Sequence, residues 1–345
     1  MLRQDLVLFR NDRKPYLLLT PGQEAVRQMV LRKIRDGIYS FVPRSCLCGS
    51  GENQAVLISE KDRYGIFQRI VMCTNCSLIY SVFQMDASSS KRFYEEVYRK
   101  LYDPDGWTAS QAFQKQYQRG CEIQKLAKPY FPPGKRLHVL DIGCNAGGFL
   151  KPFADKGDDV CGIDLDDRYF AFGESQGVGN LFKSSLAELM PQQKSFDLIL
   201  DSHVLEHTDD PVAELRRIKA LLSDGGFVYL EVPDFDPAVK ADLLAEIENA
   251  HNWYFDEFYL MQMLASMGFQ VMEVRKPFHL GILARKGPRD VPETALYRGP
   301  FPERCRIKIE ALRRISLRNR WYMPVQGVLR FIRKTKRVVI PALTC

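Results

Sequence analysis

The stretch Leu137-His138-Val139-Leu140-Asp141-Ile142-Gly143-Cys144-Asn145-Ala146-Gly147-Gly148-Phe149-Leu150, followed by Val160-Cys161-Gly162-Ile163-Asp164-Leu165, decides the fold. Leu137, Val139, Leu140 and Ile142 form the short apolar run of a strand buried on both faces. Gly143, Gly147 and Gly148 take away side chains where the backbone must bend and come close to a ligand. A helix from about Gly148 to Lys156 then presents its first N–H groups over the turn. Asp164 closes the second strand at its carboxyl end, where open α/β sheets bind ligands, and a carboxylate there can accept two ribose hydroxyls.

The glycine spacing lacks the strict G-x-G-x-x-G pyrophosphate fingerprint. Asp141, just before the turn, would repel a pyrophosphate and favour a cation such as an α-amino group or a sulfonium. The run resembles motif I and the second strand of class I S-adenosylmethionine-dependent methyltransferases, in the branch with V-L-D-I-G-C-G-x-G. Asn145 stands where that branch usually has Gly, and Asn tolerates a left-handed backbone better than most residues. The resemblance implies an α/β fold with a seven-stranded, doubly wound, Rossmann-like sheet. It places Asp141, Gly143, Cys144 and Gly147 at the methionine end of S-adenosyl-L-methionine, Asp164 and Leu165 at the ribose, and Ser185 and Leu186 at the adenine. Ser202 and His203 join the cofactor set from the end of the fourth strand.

Working outward, the chain of 345 residues is 46% hydrophobic and 26% charged, the balance of a soluble globular protein. It contains no long apolar run, and its first residues lack the features of a signal peptide. Nine cysteines, an odd number with four of them clustered, suit a reducing cytoplasm better than a disulfide framework. These four, Cys46-x-Cys48 and Cys73-x-x-Cys76, flank a span of strand-like residues with a turn at Asp62–Gly65. Two thiol pairs joined by a hairpin are the sequence form of a zinc ribbon, and four thiolates would close the metal's shell, making it structural. The ribbon and the Tyr-rich segment 93–98 resemble the N-terminal part of methyltransferases from sugar and surface-polysaccharide pathways.

The segment boundaries expected are 1–40 (two strand-like runs, Leu6 to Phe9 and Tyr16 to Leu19, then a helix capped by Thr20-Pro21), 41–85 (ribbon), 86–135 (helical lid and linker), 136–287 (methyltransferase domain) and 288–345 (basic helical extension). Asp86 to Ser90 reads as a polar break, 91–102 and 110–128 as helices. Tyr94, Tyr98, Tyr102 and Tyr117 are lid tyrosines able to reach inward. A helix over 209–222 would be capped by Thr208 or Asp209, and strands at 269–275 and 280–284 pair as a hairpin.

The candidate chemistry is His203-x-x-Glu206-His207, past the fourth strand, and His251 in a later loop. Methyl transfer needs alignment of the nucleophile and removal of its proton, and histidine suits that removal near neutrality. In the sugar C-methyltransferases that the chain resembles, His207 and His251 fall on functional histidines. There a tyrosine and an acid precede the second one, whereas this chain has Glu248, Asn249 and Ala250, which favours oxygen over carbon as acceptor. Ubiquinone-pathway O-methyltransferases carry a similar V-x-E-H whose acid and histidine hold a divalent metal, so Glu206 and His207 with His203 offer that use as well. A polar brace at a strand end is the third use.

Residues 285–345 carry 16 Lys and Arg against 4 Asp and Glu, so the net +7 of the chain is a tail of +12 on a remainder of −5. Residues 303–320 and 325–339 read as helices. A basic amphipathic helix suits an anionic membrane surface, placing a cytoplasmic enzyme at the inner face of the membrane. Nucleic acid is the rival partner, and a helical cap is the plain alternative. The expected function is base-assisted O-methylation of a sugar or saccharide-bearing small molecule. RNA methylation, sugar C-methylation and a non-catalytic binding module are the other readings.

Overall fold

Two β-sheets with separate cores organise the computed structural model, which describes residues 7–102, 108–189, 195–240, 242–276, 279–287 and 299–317. In chain order the strands are β1 (Phe41–Pro43), β2 (Ala55–Lys61), β3 (Phe67–Cys73), β4 (Ile79–Ser81), β5 (Phe83–Met85), β6 (His138–Ile142), β7 (Asp159–Asp164), β8 (Leu181–Lys183), β9 (Phe196–Ser202), β10 (Leu222–Val232), β11 (Trp253–Tyr254), β12 (Phe269–Arg275) and β13 (Leu280–Lys286).

The larger unit is made of the described residues between Lys91 and Asp234 and between Phe255 and Gly287. Its sheet has seven strands in the order β12-β13-β10-β9-β6-β7-β8. Pairing is parallel from β10 to β8, and β13 runs antiparallel to both β10 and β12. The strand that the motif begins, β6, is central, so Val139 and Leu140 are fully buried. The expected hairpin 269–275 and 280–284 is present, with the second strand running on to Lys286.

Helix α1 (Pro21–Arg35) has the expected Thr20 cap, completed by Gln23 into a capping box. Helix α2 (Ala87–Phe93) begins inside the segment read as a polar break, because Asp86 accepts from the Ser89 N–H and caps it. The helix continues through a π turn at Tyr94–Tyr98 into α3 (Arg99–Tyr102). Helix α4 (Ala109–Ala127) is capped by Thr108 and Gln111. The helix expected from Gly148 to Lys156 is only α5 (Lys151–Ala154), because turns occupy 145–150. Helix α6 (Phe170–Ser175) and α7 (Leu186–Leu189) are short. Helix α8 (Pro211–Leu221) is capped by Asp210, whose side chain takes the Val212 and Ala213 N–H groups, rather than by Thr208 or Asp209. Helix α9 (Glu257–Ser266) is capped by Asp256.

Among the described residues, the smaller unit gathers 7–90 with Phe235–Tyr254 and 299–317. Residues 235–254, grouped with the 136–287 segment on sequence grounds, therefore join the N-terminal part instead. The reason is apolar matching. Phe235, Leu243, Leu244, Ile247 and Tyr254 share a core with Ile58, Ile70, Met72 and Ile79, and β11 extends the sheet to β11-β4-β3-β2. Leu312 and Ile315, on a helix over 302–317, enter the same core. Strands β1 and β5 form a separate antiparallel pair. The two strand-like runs near the N-terminus give only one bridge, Phe9 to Ser59, among the described residues. The second basic segment, 325–339, lies outside the described residues. No described helix is long and apolar enough to cross a membrane.

Candidate active site and thiol cluster

The glycine turn at the carboxyl end of β6 is built by its neighbours. Gly143, Asn145 and Gly147 have φ of 72°, 55° and 74°, the left-handed region that glycine and asparagine accept most readily. The Gly143 and Cys144 N–H groups donate to the Ile163 carbonyl at 2.8 and 3.0 Å, tying the turn to β7. Cys144 itself is wholly buried in the core. Gly148 has a different duty from the one expected. A Cβ there would meet the Phe113 carbonyl oxygen and, at 2.6 Å, the Gln116 Cβ of α4. Gly120 likewise lets α4 approach the Phe149 carbonyl. These glycines seat a helix on the turn rather than a ligand.

Three carboxyls gather at the strand ends. Asp164 accepts from the Asn145 N–H at 2.8 Å through one oxygen and from the Asp166 N–H at 2.9 Å through the other. Each oxygen keeps a further lone pair for a hydroxyl. Burial raises its pKa. Asp141 is fully buried, and neither of its oxygens has a hydrogen-bond partner. Burial, then repulsion from Asp164 and Asp201, lifts its pKa well above the carboxylate range, with Arg119 opposing. Asp201, also fully buried, uses one oxygen to hold the Leu205 N–H at 3.2 Å, and burial raises it too. A buried acid with two orphaned oxygens is costly unless a cation completes it. The α-amino and sulfonium groups of S-adenosylmethionine would supply that charge, so the residues present fit the cofactor.

Arg119, on α4, carried no signal in the sequence, being one basic residue on an ordinary amphipathic helix. Its guanidinium pairs with Glu231, donates to Ser202 Oγ at 3.2 Å and lies over the Phe149 ring at 5.1 Å. Leu165 is 65% exposed beside Asp164, an open apolar surface suited to a flat base. Leu186 is buried and begins α7, while Ser185 is bonded to Glu188 through its N–H at 2.7 Å.

The His203 to His207 segment forms a chain of polar contacts. His203 has φ of 59°, held by its N–H on the Glu231 carbonyl at 2.8 Å. Its Nδ1 faces the buried Glu206 Oε1 at 3.2 Å, and its Nε2 lies 3.4 Å from Glu231 Oε1. The same Glu206 oxygen is 3.9 Å from His207 Nε2, and His207 Nδ1 is 3.0 Å from the Tyr94 hydroxyl. Tyr94 and Tyr98 meet the His207 ring edge-on, and Tyr98 continues onto Tyr102. Three of the lid tyrosines thus cluster at this histidine, while Tyr117 packs on the main core. His251 lies in the smaller unit, buried, with its Nε2 3.9 Å from Glu248 and its ring 5.9 Å from that of Tyr254.

Two donor sets that lie within a single unit bear on metal. His203, Glu231 and His279 offer ligand atoms within 4.8 Å of one another. Glu231, however, already receives Arg119 on one oxygen and the Tyr229 hydroxyl at 2.9 Å on the other. A guanidinium on the carboxylate repels a second cation, so this set reads as a hydrogen-bonded network. Cys46, Cys48, Cys73 and Cys76 bring their four sulfurs within 4.8 Å of one another, with 3.3 Å between Cys46 and Cys76 and 3.6 Å between Cys48 and Cys73. Tetrahedral zinc with Zn–S of ~2.3 Å sets its sulfurs about 3.8 Å apart. The cluster fits.

A family model described as a methyltransferase domain matches residues 113–274. The ubiquinone biosynthesis O-methyltransferase of Nitrosospira multiformis is 31% identical over 181 residues, covering 50% of this chain and 72% of that protein. Its Pseudomonas aeruginosa counterpart is 29% identical over 161 residues, 45% of this chain and 65% of that one. Among solved structures, the Burkholderia thailandensis 1,6-didemethyltoxoflavin-N1-methyltransferase, bound to S-adenosylhomocysteine, superposes with a TM-score of 0.45 at 20% identity, over 62% of this chain and 97% of that one. The chain belongs to the class I S-adenosylmethionine-dependent methyltransferases.

Proposed function

We propose that the chain methylates a hydroxyl oxygen of a small molecule, with a sugar or saccharide-bearing compound as acceptor. The observation that carries the reading is the fully buried Asp141 with two unpartnered oxygens beside the glycine turn. Asp141 would meet the positive amino end of the cofactor, Arg119 its carboxylate, Asp164 the ribose hydroxyls, and Leu165 with the Ser185–Leu186 turn the adenine. When bound, S-adenosylmethionine supplies a methyl group already activated on a sulfonium. His207 takes the acceptor's hydroxyl proton as the oxygen attacks, and Tyr94 on its Nδ1 fixes the ring's orientation. Glu206, buried between the two imidazoles, lies 3.2 Å from His203 Nδ1 and 3.9 Å from His207 Nε2 and helps to orient both rings. Oxygen is preferred to carbon because the curated relatives are named as O-methyltransferases.

The test is product analysis by mass spectrometry with labelled cofactor against nucleotide sugars, lipid-linked saccharides and phenolic hydroxyl compounds. Methyl transfer to a saccharide hydroxyl supports the acceptor class. Transfer to the phenols alone would contradict it. His251 is the alternative base, and the same assay on His207→Ala and His251→Ala decides between them. We further propose that the four cysteines bind one structural zinc, because their sulfurs already stand near tetrahedral spacing. Four sulfur ligands leave the metal no open position for chemistry.

A further inference from the structure

The helix over 302–317 sits on the thiol cluster through several contacts inside the smaller unit. The Phe301 N–H donates to the Asn75 carbonyl at 2.8 Å, and Cys305 Sγ lies 3.8 Å from the Cys73 carbonyl. Asn75 Nδ2 is itself 3.6 Å from Cys48 Sγ. Lys308 matters most. Its side chain is completely buried, and its ammonium donates at 2.7 Å to the carbonyl of Ser77, the residue after Cys76. Complete burial of a lysine is rare, because removing an ammonium from water is expensive without compensating charge.

Four thiolates on one divalent cation would leave two negative charges at the knuckle that Lys308 reaches through the Ser77 carbonyl. We propose that Lys308 is the counter-charge of the metal–thiolate centre, which makes the C-terminal helix part of the metal site. The inference rests on the zinc reading of the four cysteines. It explains why a lysine occupies a position that packing alone would fill with an apolar residue, since Leu312, the next residue along that face, is fully buried too. It also gives the C-terminal helix a chemical reason to return to the knuckle, in addition to its apolar contacts.

The experiment measures zinc content of the purified full chain, then zinc affinity by competition with a chromophoric chelator, for the unvaried protein, Lys308→Met and Leu312→Ala. Methionine keeps the length of the lysine and removes its charge. Leucine to alanine removes packing from the same helix and leaves the charge. The expected result is one zinc per chain, an affinity about tenfold or more lower in Lys308→Met, as when other groups around a metal's ligands are removed, and a much smaller change in Leu312→Ala. Equal affinities for Lys308→Met and the unvaried chain would overturn the inference, and so would equal losses in the two variants, which would mark packing as the cause. Absence of zinc from the unvaried protein would instead overturn the zinc reading itself. Should Lys308→Met not fold, Lys308→Gln with the same competition assay takes its place.

Discussion

At the scale of single residues, Asp141 holds the strongest tension between stability and use. A carboxyl whose pKa is raised on folding binds its proton more tightly in the folded state. Stability therefore falls as the pH climbs above the unfolded value of about 4, until the folded pKa is passed. Asp141 and Asp201 both act in this direction. Asp141→Asn should raise the stability of the cofactor-free protein by about 1 kcal/mol at pH 8 and by much less at pH 4, while abolishing cofactor binding. Urea melts at the two pH values check this, and an Asn variant no more stable at pH 8 would contradict it. Tyr94→Phe keeps the ring packing and removes only the hydroxyl on His207. It should lower kcat by about tenfold or more with little change in KM. A steady-state pH profile with an unmoved acidic limb would point to a purely structural hydroxyl. Asp141, Asp164 and His207 stood out as candidates from residue type, spacing and the family resemblance. Arg119, Glu231 and His279 were not, because their roles arise only when α4, β10 and β13 bring distant segments together.

At the scale of elements, the turn and α4 are one construction. The glycines of motif I looked like a ligand cradle in the sequence, yet Gly148 and Gly120 hold a helix against the turn. Sequence spacing reveals that a side chain is absent without revealing what fills the space. Gly148→Ala should cost about 1–3 kcal/mol, because the added Cβ meets backbone rather than a flexible side chain end. Chemical denaturation would measure the loss, and a variant of unchanged stability would show that α4 can shift freely. The same limit explains the helix boundaries. The Thr20 cap was readable because Pro21 follows it, whereas its partner Gln23 and the Thr108–Gln111 capping box were not read. Helix α2 was hidden, because three serines in a row read as a loop until Asp86 is seen to cap them. The seven strands were implied by the family resemblance, and the continuous apolar run at β6 agrees with a buried parallel strand.

At the scale of the whole molecule, two units with separate cores share one chain that passes between them more than once. The sequence order concealed this, because residues 235–254 leave the methyltransferase sheet, add β11 to the other sheet and return. The thiol cluster belongs to the smaller unit, whose apolar core is modest. If the four cysteines hold zinc as proposed, Cys48→Ser should release it and lower the thermal midpoint of that unit. Circular dichroism with parallel metal analysis tests it, and full zinc content in the variant would contradict the ligand set.

The central claim is tested most directly by isothermal titration of S-adenosylmethionine and S-adenosylhomocysteine into the purified chain, repeated with Asp141→Asn and Asp164→Ala. The account predicts one site per chain for both compounds and loss of that site in each variant. A folded, unvaried protein that binds neither compound would contradict it.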